Sequence, residues 1–255
     1  FVVSPYGGEA RELSAHHGAS ATWLDWTDDS RRLVATAHDR GSFSVAEIDV
    51  ASADRRVLWR GDAMFAEQSW AQFSRDLAGN IAVVREDDEN PRDLWLARMQ
   101  LDGLHWKQLT RLHDHVDGLE IGEVETVRWE GADGWEMQGL LIRPPGSAPG
   151  ERCPMVVVVH GGPTSVHSHQ YYAGRGWYQL IAAQGMAVFL PNPRGSTGWG
   201  LEFAESNIGD MGGKDWEDIR LGIEHCLDMG VADPDRLGIG GWSYGGFMTA
   251  WAVTQ

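Results

Sequence analysis

The stretch Arg236-Leu237-Gly238-Ile239-Gly240-Gly241-Trp242-Ser243-Tyr244-Gly245 decides the fold. Residues 236–240 predict a short strand and Tyr244 onward predicts a helix, so Gly241-Trp242-Ser243-Tyr244-Gly245 is a G-x-S-x-G pattern at a strand-to-helix turn. A serine on so sharp a turn takes a strained backbone conformation. Its neighbours two residues away must lie against the adjoining strand and helix, a space that only glycine leaves, hence Gly241 and Gly245. The hydroxyl then stands exposed at a helix N-terminus, and the Tyr244 N–H faces any oxyanion that forms there. A rival pattern, Gly238-Ile239-Gly240-Gly241-Trp242-Ser243, imitates a dinucleotide fingerprint, but serine stands where its third glycine belongs. G-x-S-x-G also arises by chance in a chain with 32 glycines. The strand–turn–helix placement favours Ser243 as a nucleophile.

Upstream of the turn, strands and helices alternate. Val124–Trp129 and Met137–Ile142 flank Gly131-Ala132-Asp133-Gly134 and predict a hairpin. Met155-Val156-Val157-Val158-Val159 is a continuous apolar run, expected of a strand buried on both faces, and Met186–Leu190 is another. Trp216, Ile219, Ile223 and Leu227 share one face of a predicted helix, with Asp215, Glu217, Asp218 and Glu224 mostly elsewhere. Asp233-Pro234-Asp235 predicts a turn. Such alternation predicts a mainly parallel α/β sheet.

Before residue 120 the pattern is different. Short alternating runs at 32–37, 43–48, 80–84 and 94–97 predict half-buried antiparallel strands. Trp26–Ser30 answers Phe73–Leu77 at a spacing of 47, and Val57–Arg60 answers Gln108–Arg111 at 51. The difference of four fits extra residues in the turn Glu86–Pro91. A period near 50, with about four strands per unit, is that of propeller blades, although an accidental meander gives similar runs. Trp23, Trp26, Trp59, Trp70, Trp95 and Trp106 are expected in the blade core. The expected domains are 1–119, the C-terminal blades of a β-propeller, and 120–255, the N-terminal part of the α/β domain.

His160-Gly161-Gly162-Pro163 follows directly on the first buried strand, where an α/β-hydrolase places its oxyanion loop. Its glycines let the backbone approach a substrate. The Gly162 N–H is the expected second oxyanion donor, with His160 and Gly161 supporting the loop. Arg194, in a Gly-rich loop, suits substrate contact and loop bracing equally.

These motifs together resemble the prolyl oligopeptidase family of serine peptidases, most of all its acylaminoacyl-peptidase and dipeptidyl-peptidase branches. The stretches that carry the likeness are His160–Pro163, Asn192-Pro193-Arg194-Gly195-Ser196-Thr197-Gly198-Trp199-Gly200, Asp233–Leu237 and Gly241–Met248. The resemblance implies an α/β-hydrolase domain, truncated after the nucleophile elbow, preceded by the last blades of a β-propeller. It also implies cleavage of short peptides in a cavity between the two. His160 is similar to the acylaminoacyl-peptidase form, whereas Trp242 is similar to dipeptidyl peptidase IV. An esterase or lipase on the same core, and a non-catalytic relative that binds through its propeller, are the alternatives.

In this fold the triad runs Ser, then acid, then His. Residues 244–255 contain no Asp, Glu or His, so both partners are expected beyond Gln255, and the segment alone is expected to be inert. The chain opens on Phe1 and stops inside a predicted helix, so both ends are expected to be cut. His160, His167, His169 and His225 all precede the serine and are poor substitutes for the base. The net charge of −16 argues against nucleic acid and anionic membrane as partners. Cys153 and Cys226 read as packing residues, not a disulfide framework. The pairs His16-His17, His113/His115 and His167/His169 lack an identifiable third ligand, so neither metal nor cofactor is expected. A homo-oligomer is compatible with the sequence. Compartment is left open, with the cytoplasm favoured.

Overall fold

A computed structural model describes residues 1–14, 17–65, 73–148, 150–174 and 176–255. His16 and Trp70 lie outside the described residues. Two antiparallel sheets come first. β1 (Ser20–Trp26), β2 (Arg32–Asp39), β3 (Ser42–Asp49) and β4 (Arg55–Gly61) pair in chain order. In the second sheet β5 (Met64–Phe65) and β6 (Ser74–Arg75) both pair with β7 (Ile81–Glu86), followed by β8 (Asp93–Gln100) and β9 (Gly103–Gln108). The repeat unit is therefore a four-stranded meander, in whose second copy β5 and β6 together take the place of the first strand. Residues 40–41 connect β2 to β3, whereas residues 87–92 connect β7 to β8. Two residues against six gives the difference of four seen in the repeat spacing.

The two sheets bury Phe43, Val45, Leu58, Phe65, Ile81 and Val83 between them. The tryptophans contribute less than their number suggests. Trp59 and Trp106 pack against this core, but Trp26 is 45% exposed. The Trp95 ring carries the Arg85 guanidinium at 4.4 Å, a cation–π contact.

The third sheet has the order β10-β11-β13-β12-β14, with β10 (Val124–Glu130), β11 (Glu136–Ile142), β12 (Cys153–Val159), β13 (Ala187–Asn192) and β14 (Ala232–Gly241). The hairpin β10–β11 joins it antiparallel, and β13, β12 and β14 run parallel, so the sheet is mixed. α1 (Tyr178–Ala182), α2 (Leu201–Glu205), α3 (Lys214–Asp228) and α4 (Tyr244–Ala252) complete the α/β part. On β12, Met155, Val157 and Val159 are buried, while Val156 and Val158 are only half-buried. The first face meets the large core that α3 and α4 help to build; the second meets a smaller group around Tyr172 and Leu190.

Two local readings need correction. Asp233-Pro234-Asp235 is not a turn before a strand but a bulge inside β14. Cys153 pairs with Ala232 and Met155 with Leu237, and the Asp233 carboxylate accepts the Asp235 N–H at 3.0 Å to hold the extra residues. The buried stripe of α3 is also rotated from the predicted one. It runs Asp215, Asp218, Ile219, Gly222, Cys226, with both carboxylates fully buried and Trp216 only half-buried. Partners from other segments make this tolerable. Both cysteines are free and buried, and burial pushes the Cys226 thiol up to about 12.

Candidate active site

Parallel pairing of β12 with β14 brings Val159 opposite Gly241, so the loops leaving both strands emerge side by side. The first is His160–Pro163 and the second is the turn into α4. Ser243 has φ 55° and ψ −116°, outside the regions open to an unstrained L-residue. It is exposed, and its carbonyl accepts the Phe247 N–H at 3.0 Å, which starts the helix. A Cβ on Gly241 would stand 2.5 Å from the Val159 carbonyl oxygen, and one on Gly245 would stand 2.0 Å from the same atom. Both glycines are thus dictated by the close approach of the turn to β12.

The preceding loop lies against this turn. A Cβ on Gly161 would meet Trp242 O at 3.2 Å and Ser243 Cβ at 3.4 Å. Gly162 has φ +130°, a region closed to other residues, and a cis peptide follows it at Pro163. Among the described residues, neither the Gly162 N–H nor the Tyr244 N–H is used in a hydrogen bond. Two free donors therefore flank an exposed hydroxyl on a strained backbone.

His160 is buried, and burial holds its ring down to about 4, offset in part by the Gly161 carbonyl. The neutral ring has one N–H hydrogen. Because a carbonyl only accepts, that hydrogen sits on Nδ1, which donates to Gly161 O at 2.9 Å. Nε2 lies 3.0 Å from Ser196 Oγ, whose hydroxyl donates to Pro193 O at 2.6 Å. Gly161 C=O and Gly162 N–H belong to one planar trans peptide, so fixing the carbonyl also aims the N–H.

Other predicted residues are placed elsewhere. Arg194 is 3% exposed; its Nε and Nη2 reach the two Asp218 oxygens at 2.8 and 3.1 Å, Nη2 donates to Ala132 O at 2.7 Å, and Nη1 reaches Asp133 at 3.3 Å. Of the two roles that the sequence offers, loop bracing is the one visible here: the side chain ties the loop to the β10–β11 turn and α3. His167 donates from Nε2 to Val158 O at 3.0 Å, and its ring is pushed down to about 3 by burial and by His160. His169 pairs through Nδ1 with Asp88 and through Nε2 with Thr126 Oγ1 at 2.9 Å. Burial pulls its pKa down, but Asp88, helped by Asp62, outweighs burial and holds it above the ordinary value. His225 stays on α3, where its carbonyl accepts the Met229 N–H.

The sequence places Asp215 mostly off the apolar face of its helix; in the structure its Oδ1 accepts the Gly212 and Trp216 N–H groups. Its Oδ2 accepts the Tyr244 hydroxyl, which anchors the elbow to α3, a contact that sequence reasoning missed. No sequence signal marked it, because the apolar periodicity of α3 places Asp215 off the buried face.

Known proteins match this arrangement. The model of the prolyl oligopeptidase family matches residues 175–255. An uncharacterized peptidase of Bacillus subtilis, YuxL, is 33% identical over 232 residues, covering 90% of this chain and 34% of the relative. The acylamino-acid-releasing enzyme of Arabidopsis thaliana is 30% identical over 249 residues, covering 90% of this chain and 32% of its own length. Among solved structures, the Pyrococcus horikoshii acylaminoacyl peptidase superposes with a TM-score of 0.80 at 28% identity, over 98% of this chain and 38% of that one. The chain spans about a third of the length of the curated relatives it matches. Its two antiparallel sheets are propeller blades, and its mixed sheet is part of an α/β-hydrolase fold.

Proposed function

We propose, from the premise that this chain belongs to the prolyl oligopeptidase family, that it is part of a serine peptidase in which Ser243 is the nucleophile. The observation that carries this reading is the exposed Ser243 at φ 55° on the turn between β14 and α4, beside the Gly161-Gly162 loop. Ser243 Oγ attacks the scissile carbonyl and gives its proton to a general base. The oxyanion is received by the N–H groups of Gly162 and Tyr244, each such donor being worth about 3–4 kcal/mol of barrier. The leaving amine takes a proton, and water then hydrolyses the acyl-enzyme.

The base and its acid partner come from outside residues 1–255. Supporting this, residues 244–255 supply no Asp, Glu or His, and His160, His167 and His169 are each committed to other partners. The substrates are short peptides, with a blocked N-terminal residue favoured by the likeness to acylaminoacyl peptidases. In the same reading, residues 1–119 are propeller blades that restrict entry and residues 120–255 begin the hydrolase domain.

The test is a fluorophosphonate probe together with acyl-peptide and acyl-ester chromogenic substrates, applied to the protein at its full natural length. Labelling should map to Ser243 and vanish in Ser243→Ala, with peptide turnover lost in parallel. The 255 residues alone should turn over none of these substrates, since loss of triad function costs on the order of 10⁶ in rate. Labelling elsewhere, or ester turnover with no peptide turnover, overturns the peptidase reading.

A further inference from the structure

Three consecutive residues of the Gly-rich loop hold four partners outside it. The Ser196 hydroxyl lies against His160 Nε2 at 3.0 Å. The Thr197 N–H donates to Ser165 O at 2.8 Å. Gly198 is gripped from both sides by the first blade: its N–H donates to Ser20 Oγ at 2.9 Å, and its carbonyl accepts the Arg40 N–H at 2.9 Å. Ser20 opens β1, and Arg40 is the first residue of the tight β2–β3 turn. Ser20, Thr164, Ser165 and Thr197 also line one cleft of about 210 Å³ between the blade and the loop that follows Pro163.

A blade that served only as a wall would need no specific bonds to this loop. A two-point grip on one backbone unit, by contrast, fixes both position and rotation of that unit. From Gly198 the constraint passes through Thr197 and Ser196 to both ends of segment 160–165. That segment contains the peptide whose N–H is the candidate oxyanion donor. The Gly198 backbone has φ +103°, and a Cβ there would stand 3.3 Å from Arg40 N, so the approach leaves little slack.

We infer that Ser20 is a positioning residue: through Gly198 and the 196–198 strut, the propeller blade holds the 160–163 loop in the geometry that receives the substrate carbonyl. This rests on the proposed function. The blade then acts on the chemical step as well as on entry, although it touches none of the reacting atoms. Losing one hydrogen bond of the grip corresponds to about fivefold in the opening equilibrium of the loop.

The experiment compares wild type, Ser20→Ala, Ser20→Thr and Ser243→Ala in the protein at its full natural length. Hydrogen exchange read by mass spectrometry should quicken about fivefold in the peptide covering 160–168 in Ser20→Ala, with the β10–β11 hairpin unchanged. With a small acyl-ester substrate, kcat should fall about three- to tenfold at unchanged KM. Ser20→Thr, which keeps the hydroxyl oxygen, should restore both. Unchanged exchange at 160–168 in Ser20→Ala overturns the inference, as does a kcat loss that Ser20→Thr shares in full. If instead Ser243→Ala remains as active as wild type, the nucleophile reading fails, and the exchange arm alone still decides whether the blade holds the loop.

Discussion

Substituting Gly245 by alanine tests the close approach on which the elbow depends. A Cβ there would lie 2.0 Å from Val159 O, 2.8 Å from Val159 C and 3.2 Å from His160 O. These are backbone atoms of β12, an interior strand, and of the loop after it, so no side chain can swing away. Either α4 lifts from β12 or the end of β12 moves, and overpacking of this kind costs about 1–3 kcal/mol, with the upper end expected against backbone. For a chain of this size each kcal/mol moves Tm by roughly 2–4 °C, so Gly245→Ala should lower it by about 6–12 °C.

The neighbouring glycine supplies the control. At Gly246, in the same helix, a Cβ would meet nothing closer than Gly241 O at 3.7 Å, an ordinary contact. There the alanine gains the helix propensity that glycine lacks, about 0.8–1 kcal/mol, and Tm should rise by about 2–4 °C. Two adjacent, chemically identical substitutions should thus move stability in opposite directions. Scanning calorimetry on both variants decides the matter. Equal shifts, or a Gly245→Ala variant that melts with wild type, would refute the claim that β12 dictates the glycine.

Further outcomes are expected elsewhere in the chain. Asp218→Asn leaves the buried Arg194 guanidinium without its main counter-charge and should cost about 3–5 kcal/mol in urea unfolding; a loss below about 1 kcal/mol would show that Ala132 O and Asp133 suffice. His160 and His167 are held neutral well below the ordinary 6.5, so their contribution is complete above that pH and is lost as pH falls. At pH 5 this amounts to roughly 2 kcal/mol for each ring, and an unfolding midpoint that stays flat from pH 7 to 5 would contradict it. His169 has the opposite sign: its raised pKa stabilises fully below 6.5 and is lost as pH rises through the folded value. Asp88→Asn should therefore flatten the alkaline limb of the stability profile, and an unaltered limb would exclude this pair as its source.

The parts legible in the sequence are those governed by local spacing. Alternation located β2, β3, β7 and β8, and the hairpin β10–β11 followed from two apolar runs around Gly131–Gly134. The elbow was legible because both glycines that β12 excludes from carrying a side chain flank the serine within five residues. Even the longer β7–β8 turn appeared as a change in repeat spacing. The structure gives that turn a use: Asp88 reaches His169, and Glu86 at its base accepts the Tyr171 N–H at 3.3 Å.

What was not legible depends on partners far away in sequence. The apolar pattern of α3 pointed to Trp216, Ile219, Ile223 and Leu227, yet the buried stripe begins with Asp215 and Asp218. Hydrophobic periodicity places charges outside, and it fails wherever a distant donor makes burial favourable. Here the donors are Arg194 and the Ala132 N–H for Asp218, and the Tyr244 hydroxyl for Asp215. The same logic applies to Arg194, whose residue type fits both substrate contact and bracing, and whose bracing partner Asp218 lies 24 residues away. It also explains why Ser20 carried no signal: an exposed-looking serine at the start of a weakly alternating strand bonds a loop 178 residues away. The unread contacts share one property. Each joins a residue of the α/β part outside its strands to an element that the sequence presents as scaffold: α3 through Asp215 and Asp218, the blades through Ser20, Arg40 and Asp88. Local sequence therefore specifies which groups stand at the candidate site, and distant buried polar contacts specify where they are held.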